Sequence, residues 1–395
     1  MIEDLLLMDA SSQPDQPLGA GSDPNLYAAQ AADLANEPTP SFPSLAQLPA
    51  VDSPFAASIK AAVAFASEAF AQEIKTKQLY YHGFEHVNAV AVRAQKIFDA
   101  VVPFCQGRDL KTGKPLSAAG WARRRSLLYL SAIAHDMVQV FLPQATAHST
   151  RRREGGHSEQ ITFERLLEFL QEISPGAASP DAQFSESDIE ILQEAIAATV
   201  CQFDPSDGAI FQPLLYQDEP ISLTARALAL ADIGTLGMEG IAAYKREGGL
   251  LLLEENLDII PFLQQGGWKE DKSYPTKPHS TESCHPVDRR TVDRSADDEA
   301  FDTSFCEGLK QRLLKRARFE VTFAKSRLAR LDRELHGLPK GAIATLKTNI
   351  FTYLTPATID QLAAMTPTAQ DTSLLDLLDY FQLETYLPPD ASFPC

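Results

Sequence analysis

Five of the eight histidines fall between positions 82 and 157, and the residues best suited to chemistry gather around three of them. In Tyr80-Tyr81-His82-Gly83-Phe84-Glu85-His86 the two histidines stand four apart at an expected helix start, a spacing that puts both rings on one helix face. In Leu130-Ser131-Ala132-Ile133-Ala134-His135-Asp136 a histidine and a carboxylate end an apolar helical run. In Leu228-Ala229-Leu230-Ala231-Asp232-Ile233-Gly234 a single acid again interrupts an apolar run, and the nearest cation at helical spacing is Arg226. Burying an ionised Asp without a partner costs on the order of 3 kcal/mol or more, so a cation or a cage of hydrogen bonds is expected around it. Each segment alone also suits a plainer role: a solvated polar face for His82 and His86, a His-Asp helix cap for His135-Asp136, and a capping or water-bound acid for Asp232. Taken in order, two imidazoles and two carboxylates make a borderline-to-hard donor set suited to a divalent ion such as Zn, Mn, Fe, Ni or Mg. Such an ion acidifies bound water and polarises a phosphoryl oxygen, which is what phosphoester hydrolysis requires.

These residues need a scaffold, and the patterning points to helices. Residues 1–52 hold seven of the 26 prolines among Ser, Gln, Ala and Asp without a sustained period, and are expected to be a disordered leader. From 53 to 263 apolar residues recur at helical spacing. Helices are expected from about Pro54, over 83–101, and over 126–140, which is apolar almost all round and therefore central. Further helices are expected near 157–173, 186–202, 221–238 and 239–263, with a loop over 106–119. Strand signals are few, so the fold class is all-α. A polar stretch, 264–304, reads as a flexible insertion. The C-terminal part, 305–395, is expected to pack on the core as a helical extension. It opens with a basic amphipathic helix, 307–334, carrying nine Lys or Arg against four acids, and it includes a Leu-rich stretch at 374–383.

The same segments carry a family resemblance. Tyr81-His82 through His86, His135-Asp136, Ser158-Glu159-Gln160-Ile161-Thr162, Ile196-Ala197-Ala198-Thr199 and Asp232-Ile233 occur in the order seen in the HD-domain superfamily of metal-dependent phosphohydrolases. The chain resembles the branch shared by cyclic-nucleotide phosphodiesterases and small bacterial HD proteins, over about residues 55 to 245. The resemblance implies an HD-type helical bundle in which His86, His135, Asp136 and Asp232 hold a divalent metal. It makes His82 the acid that protonates the leaving oxygen, and Asp136 can also take a proton from the attacking water. The implied substrate is a small phosphoester, such as a nucleotide or related metabolite. Where many relatives place further histidines, this chain has Gln139 and Val200-Cys201-Gln202, so a single metal is expected.

The remaining features set the alternatives. His148 and His157 flank Arg151-Arg152-Arg153 in an expected loop, read first as solvated and second as a phosphate clamp. His279, Cys284 and His285 lack the paired spacing of a structural zinc site. A net charge of −18 disfavours nucleic acid and anionic membranes as partners. Five scattered cysteines and the absence of a long apolar stretch make the cytoplasm the default compartment. Two rival functions follow: a metal-binding HD module serving as a sensor or interaction scaffold, and a nucleic-acid binder working through the basic helix.

Overall fold

The computed structural model describes residues 54–144, 149–173, 179–265 and 296–387. The expected leader and most of the polar stretch 264–304 lie outside the described residues, as do His148, His279, Cys284 and His285. Among the described residues the chain is all-α apart from one small hairpin, as the patterning requires. The helices in chain order are α1 (Pro54–Lys77), α2 (Phe84–Val101), α3 (Ala118–Ala134), α4 (His157–Ile173), α5 (Glu186–Ala197), α6 (Leu223–Asp232), α7 (Thr235–Glu239), α8 (Ile241–Glu255) and α9 (Ile260–Gln265). After the polar stretch come α10 (Ala296–Glu334), α11 (Lys340–Thr345), α12 (Pro356–Met365) and α13 (Leu374–Phe381). The hairpin pairs β1 (Gln202–Asp204) with β2 (Ala209–Phe211) antiparallel. No helix of the described residues is long and apolar enough to cross a membrane.

At the centre α2 packs on both α3 and α6, with α1 and α5 outside them and α4 against α5 and α1. Leu127–Ala134 of α3, from the run that looks apolar almost all round, is buried on every side, and so is Leu223–Ala231 of α6. Helices that are apolar all round can only be satisfied at the middle of a bundle. Several helix ends depart from the patterning. The helix expected at 126–140 runs from Ala118 to Ala134, started by Ser117, whose hydroxyl accepts the Gly120 N–H at 3.1 Å. The helix expected at 186–202 stops at Ala197, and Gln202 already belongs to β1.

The fully buried Arg93 of α2 fastens the core to the turn that follows α6. Its Nη1 donates to the Ala231 carbonyl at 3.0 Å and to Thr235 Oγ1 at 2.5 Å, and its Nη2 meets Glu247 of α8 at 2.8 Å. One side chain thus joins α2, the end of α6, α7 and α8.

The 39-residue helix α10, about 58 Å long at 1.5 Å per residue, runs past the hairpin, α8, α12 and α13. Leu309, Leu313 and Leu314 pack with Leu252 and Leu253 of α8 and with Leu377, Leu378 and Phe381 of α13. Several of its arginines are engaged inside the fold: Arg312 with Asp258, Arg327 with Glu334, and Arg330 with Asp204 and Asp207. Gly248 lets α8 and α10 approach closely, since a Cβ there would overlap the Glu320 carboxylate. Burial raises the Glu320 pKa to about 7, against the opposing charge of Arg316. Because this carboxyl group titrates higher in the folded chain than in the unfolded one, its contribution is fully present below pH ~4.5 and is lost as pH rises through 7. Glu320→Gln should therefore match the parent in urea unfolding at pH 5. At pH 8 it should be more stable by up to about 3 kcal/mol, since each pKa unit is worth about 1.4 kcal/mol. An equal stability difference at both pH values would show that Glu320 is not held in its neutral form.

Candidate metal centre

The fold brings three helix ends to one point. His86 is the third residue of α2, His135 is the C-cap of α3 with Asp136 directly after it, and Asp232 is the last residue of α6. Asp136 Oδ2 lies 2.9 Å from His135 Nε2 and 3.3 Å from His86 Nε2. Asp232 Oδ1 lies 3.4 Å from His86 Nε2 and 3.6 Å from His135 Nε2. His86, His135 and Asp136 form the tightest group, with ligand atoms all within 4.8 Å of one another. Asp232, outside that group, still reaches both rings. Donor atoms bound to one ion at about 2.0–2.2 Å are themselves about 3–3.6 Å apart, so the four residues have the spacing of a ligand set.

Three observations test whether an ion fits. First, His86 Nε2, His135 Nε2 and Asp136 Oδ2 are buried and have no hydrogen-bond partner: they are close, yet not aligned to bond one another. Buried polar atoms left in this condition cost roughly 1–3 kcal/mol each unless something else meets them. Second, His135 Nδ1 stands 2.8 Å from the Ala132 carbonyl and so carries a proton, which makes inward-facing Nε2 the nitrogen whose lone pair is available to an ion once the ring is neutral. Third, Asp136 and Asp232 both sit at helix C-termini, the negative end of the macrodipole, while His86 is near an N-terminus. Carboxylates are disfavoured at a helix C-terminus and imidazolium at an N-terminus, whereas a cation beside the two C-termini meets favourable dipoles and lets His86 serve as a neutral ligand. Donor chemistry, spacing and orientation fit a divalent ion.

In the protein alone, protons do part of this work. Burial opposes a charged His135, yet Asp136 and Asp232 outweigh it and raise its pKa well above the ordinary value. Burial likewise opposes ionised Asp136, but the imidazoles hold its pKa well below the usual carboxylate range. Amides steady the outer carboxylate oxygens: Gln139 Nε2 donates to Asp136 Oδ1 at 3.0 Å and Gln212 Nε2 to Asp232 Oδ2 at 3.3 Å. The Tyr81 ring lies 4.3 Å from that of His86.

His82 stands beside the cluster, its ring centroid 5.8 Å from that of His86. Its Nδ1 meets Glu254 Oε1 at 2.5 Å, which leaves Nε2 as the nitrogen that Glu254 does not engage. Glu254 Oε2 accepts the backbone N–H groups of Tyr80, Tyr81 and His82, each at 3.0 Å. Burial would raise the Glu254 pKa, but His82, Arg153 and these backbone donors hold it down at about 2. Glu254 was not singled out by the sequence reading, although Leu250-Leu251-Leu252-Leu253-Glu254 has the same signature as the other two acids, a carboxylate ending an apolar run.

The other matched motifs have structural work. Ser158 Oγ and Thr162 Oγ1 accept the N–H groups of Val140 and Val138, fixing the chain beyond Asp136, while the Thr199 hydroxyl donates to the Ile196 carbonyl. Glu159 is partly buried, and that burial raises its pKa. His157 is the first residue of α4 and belongs to neither the ligand cluster nor the His82–Glu254 pair. Comparisons with models of protein families, with curated proteins and with solved structures return no match, so the reading of this centre rests on its own geometry.

Proposed function

We propose that the chain is a metal-dependent phosphohydrolase of HD type, acting on a small phosphoester such as a nucleotide. The observation that carries this reading is the trio of buried, unpartnered donor atoms His86 Nε2, His135 Nε2 and Asp136 Oδ2, with Asp232 Oδ1 beside them. His86, His135, Asp136 and Asp232 would hold the ion. When bound, a divalent ion supplies Lewis acidity toward a phosphoryl oxygen and makes nearby water more acidic. Asp136 takes the proton of the attacking water through the carboxylate that Gln139 steadies. His82, oriented by Glu254 through Nδ1, gives a proton from Nε2 to the departing oxygen. Burial of the cluster keeps these charges strong by excluding bulk water.

The test is direct. Full-length protein should carry about one equivalent of a divalent metal by elemental analysis and should hydrolyse bis-(p-nitrophenyl) phosphate. A chelator should abolish turnover and added metal should restore it. Bound metal without any hydrolysis would favour the sensor or scaffold reading, and hydrolysis that survives complete metal removal would refute the mechanism.

A further inference from the structure

The basic triplet Arg151-Arg152-Arg153 divides into different jobs. The Arg151 guanidinium is buried: it donates to the carbonyls of Glu254 at 2.8 Å from Nε and of Lys77 at 2.9 Å, and it lies 4.1 Å over the Phe141 ring. That arginine is structural, holding the backbone of Glu254. Arg152 sits near Lys315 of α10 and lowers its pKa together with burial, the larger cause.

Arg153 is different. It is exposed, and its Nη1 donates to Gln139 Oε1 at 2.7 Å. Gln139 is fully buried, and its Nε2 donates to Asp136 Oδ1 at 3.0 Å. The two contacts agree on the amide's orientation, because a guanidinium can only donate and a carboxylate can only accept. Arg153 is therefore one side chain removed from the ligand cluster, on a path with no ambiguity in its hydrogen bonds. Its backbone is pinned as well, through an isolated antiparallel bridge to Phe141. Asp136, Glu254, Glu159 and Glu255 surround it electrostatically, and among the described residues it makes no ion pair with any of them. A guanidinium has five N–H donors in a planar fork, and the bond to Gln139 engages one group of them.

Asp136, Asp232 and Glu159 place negative charge around this centre in a chain of net charge −18, so an anion needs a fixed cation beyond the metal. We propose that Arg153 is the substrate-binding residue of the centre, its free guanidinium edge holding the non-bridging phosphoryl oxygens while Gln139 fixes its aim. This rests on the phosphohydrolase reading above and names the residue that recognises the substrate's phosphate.

The experiment uses full-length, metal-loaded protein and the variants Arg153→Ala and Arg153→Lys, whose exposed site makes misfolding a small risk. Metal content, the affinity for inorganic phosphate by calorimetry, and KM and kcat on bis-(p-nitrophenyl) phosphate are measured together. Arg153→Ala should keep its metal, while KM and the phosphate Kd rise about 10- to 100-fold, the scale of a lost charge-assisted contact. Arg153→Lys should fall between, since an ammonium keeps the charge and loses the fork. If the parent hydrolyses the ester and Arg153→Ala keeps the parent's KM and phosphate Kd, the assignment of Arg153 is overturned and the phosphohydrolase reading stands. If metal-loaded parent neither binds phosphate nor hydrolyses the ester, the phosphohydrolase reading fails and the assignment fails with it.

Discussion

Asp136→Ala should lose both the metal and all metal-dependent turnover. Asp136 Oδ2 is the one atom in the cluster within 3.3 Å of both ligand imidazoles, so removing it takes away the donor that joins the α2 and α3 contributions. A second consequence separates this from simple misfolding. Without metal, Asp136 is the buried anion between the His86 and His135 imidazoles, and its removal leaves Asp232 as their remaining carboxylate. The metal-free variant should therefore be less stable than the metal-free parent at neutral pH, yet still fold. Metal at about 100 times its Kd should stabilise the parent by about 2.7 kcal/mol and the variant hardly at all. Equal stabilisation of both proteins by metal would place the ion elsewhere.

The sequence made the ligand positions legible for a physical reason. His135-Asp136 and Asp232 stand out because acids that end apolar runs must meet a partner supplied by the fold, and the runs Leu127–Ala134 of α3 and Leu223–Ala231 of α6 are indeed buried on every side. Helix α4 was equally clear, since its amphipathic period begins and ends with the helix itself, His157–Ile173. What the sequence hid was decided by contacts far apart in the chain. Residues 118–125 look too polar for a core helix, yet Arg123 pairs with Asp188 of α5 and Arg125 with Asp99 of α2, so the polar turn is docked by charge. The apolar pattern continues past Ala134, but the helix ends there and the Val138 and Val140 N–H groups go to hydroxyls of α4. That competition turns the chain just where His135 and Asp136 must face inward. The basic helix reading also shifts: α10 begins at Ala296, within the stretch expected to be a loop.

Glu254 shows the limit most clearly. Its three backbone contacts lie 172 to 174 residues away, and nothing in local spacing announces them. The C-terminal helices matter to the site through it, because α10 and α13 pack on Leu252 and Leu253, immediately before this acid. The apolar contacts of the C-terminal part thus fix the height at which Glu254 meets His82.

His82→Ala should leave the metal in place and cut turnover by about 10²- to 10⁴-fold, the usual worth of a positioned proton donor. The geometry supports the separation. His82 Nδ1 is taken by Glu254, and the four ligand atoms of the cluster come from other residues, so deleting this ring removes no donor from the ion. Glu254 still accepts its three backbone N–H groups in the variant, so the turn before α2 keeps its anchor and His86 its place. Glu254→Gln provides the companion measurement: the metal should again remain, with a smaller loss of turnover, because the ring stays while its partner's charge is gone. The loss should be in kcat more than in KM, since a proton given to the leaving oxygen matters only as the bond breaks. The pattern across the variants is therefore specific, with metal and rate falling together at Asp136 and rate alone at His82. If His82→Ala releases the metal, His82 is a ligand and the acid must be sought elsewhere; if it hydrolyses the diester at the parent's rate, no proton from this ring reaches the leaving group.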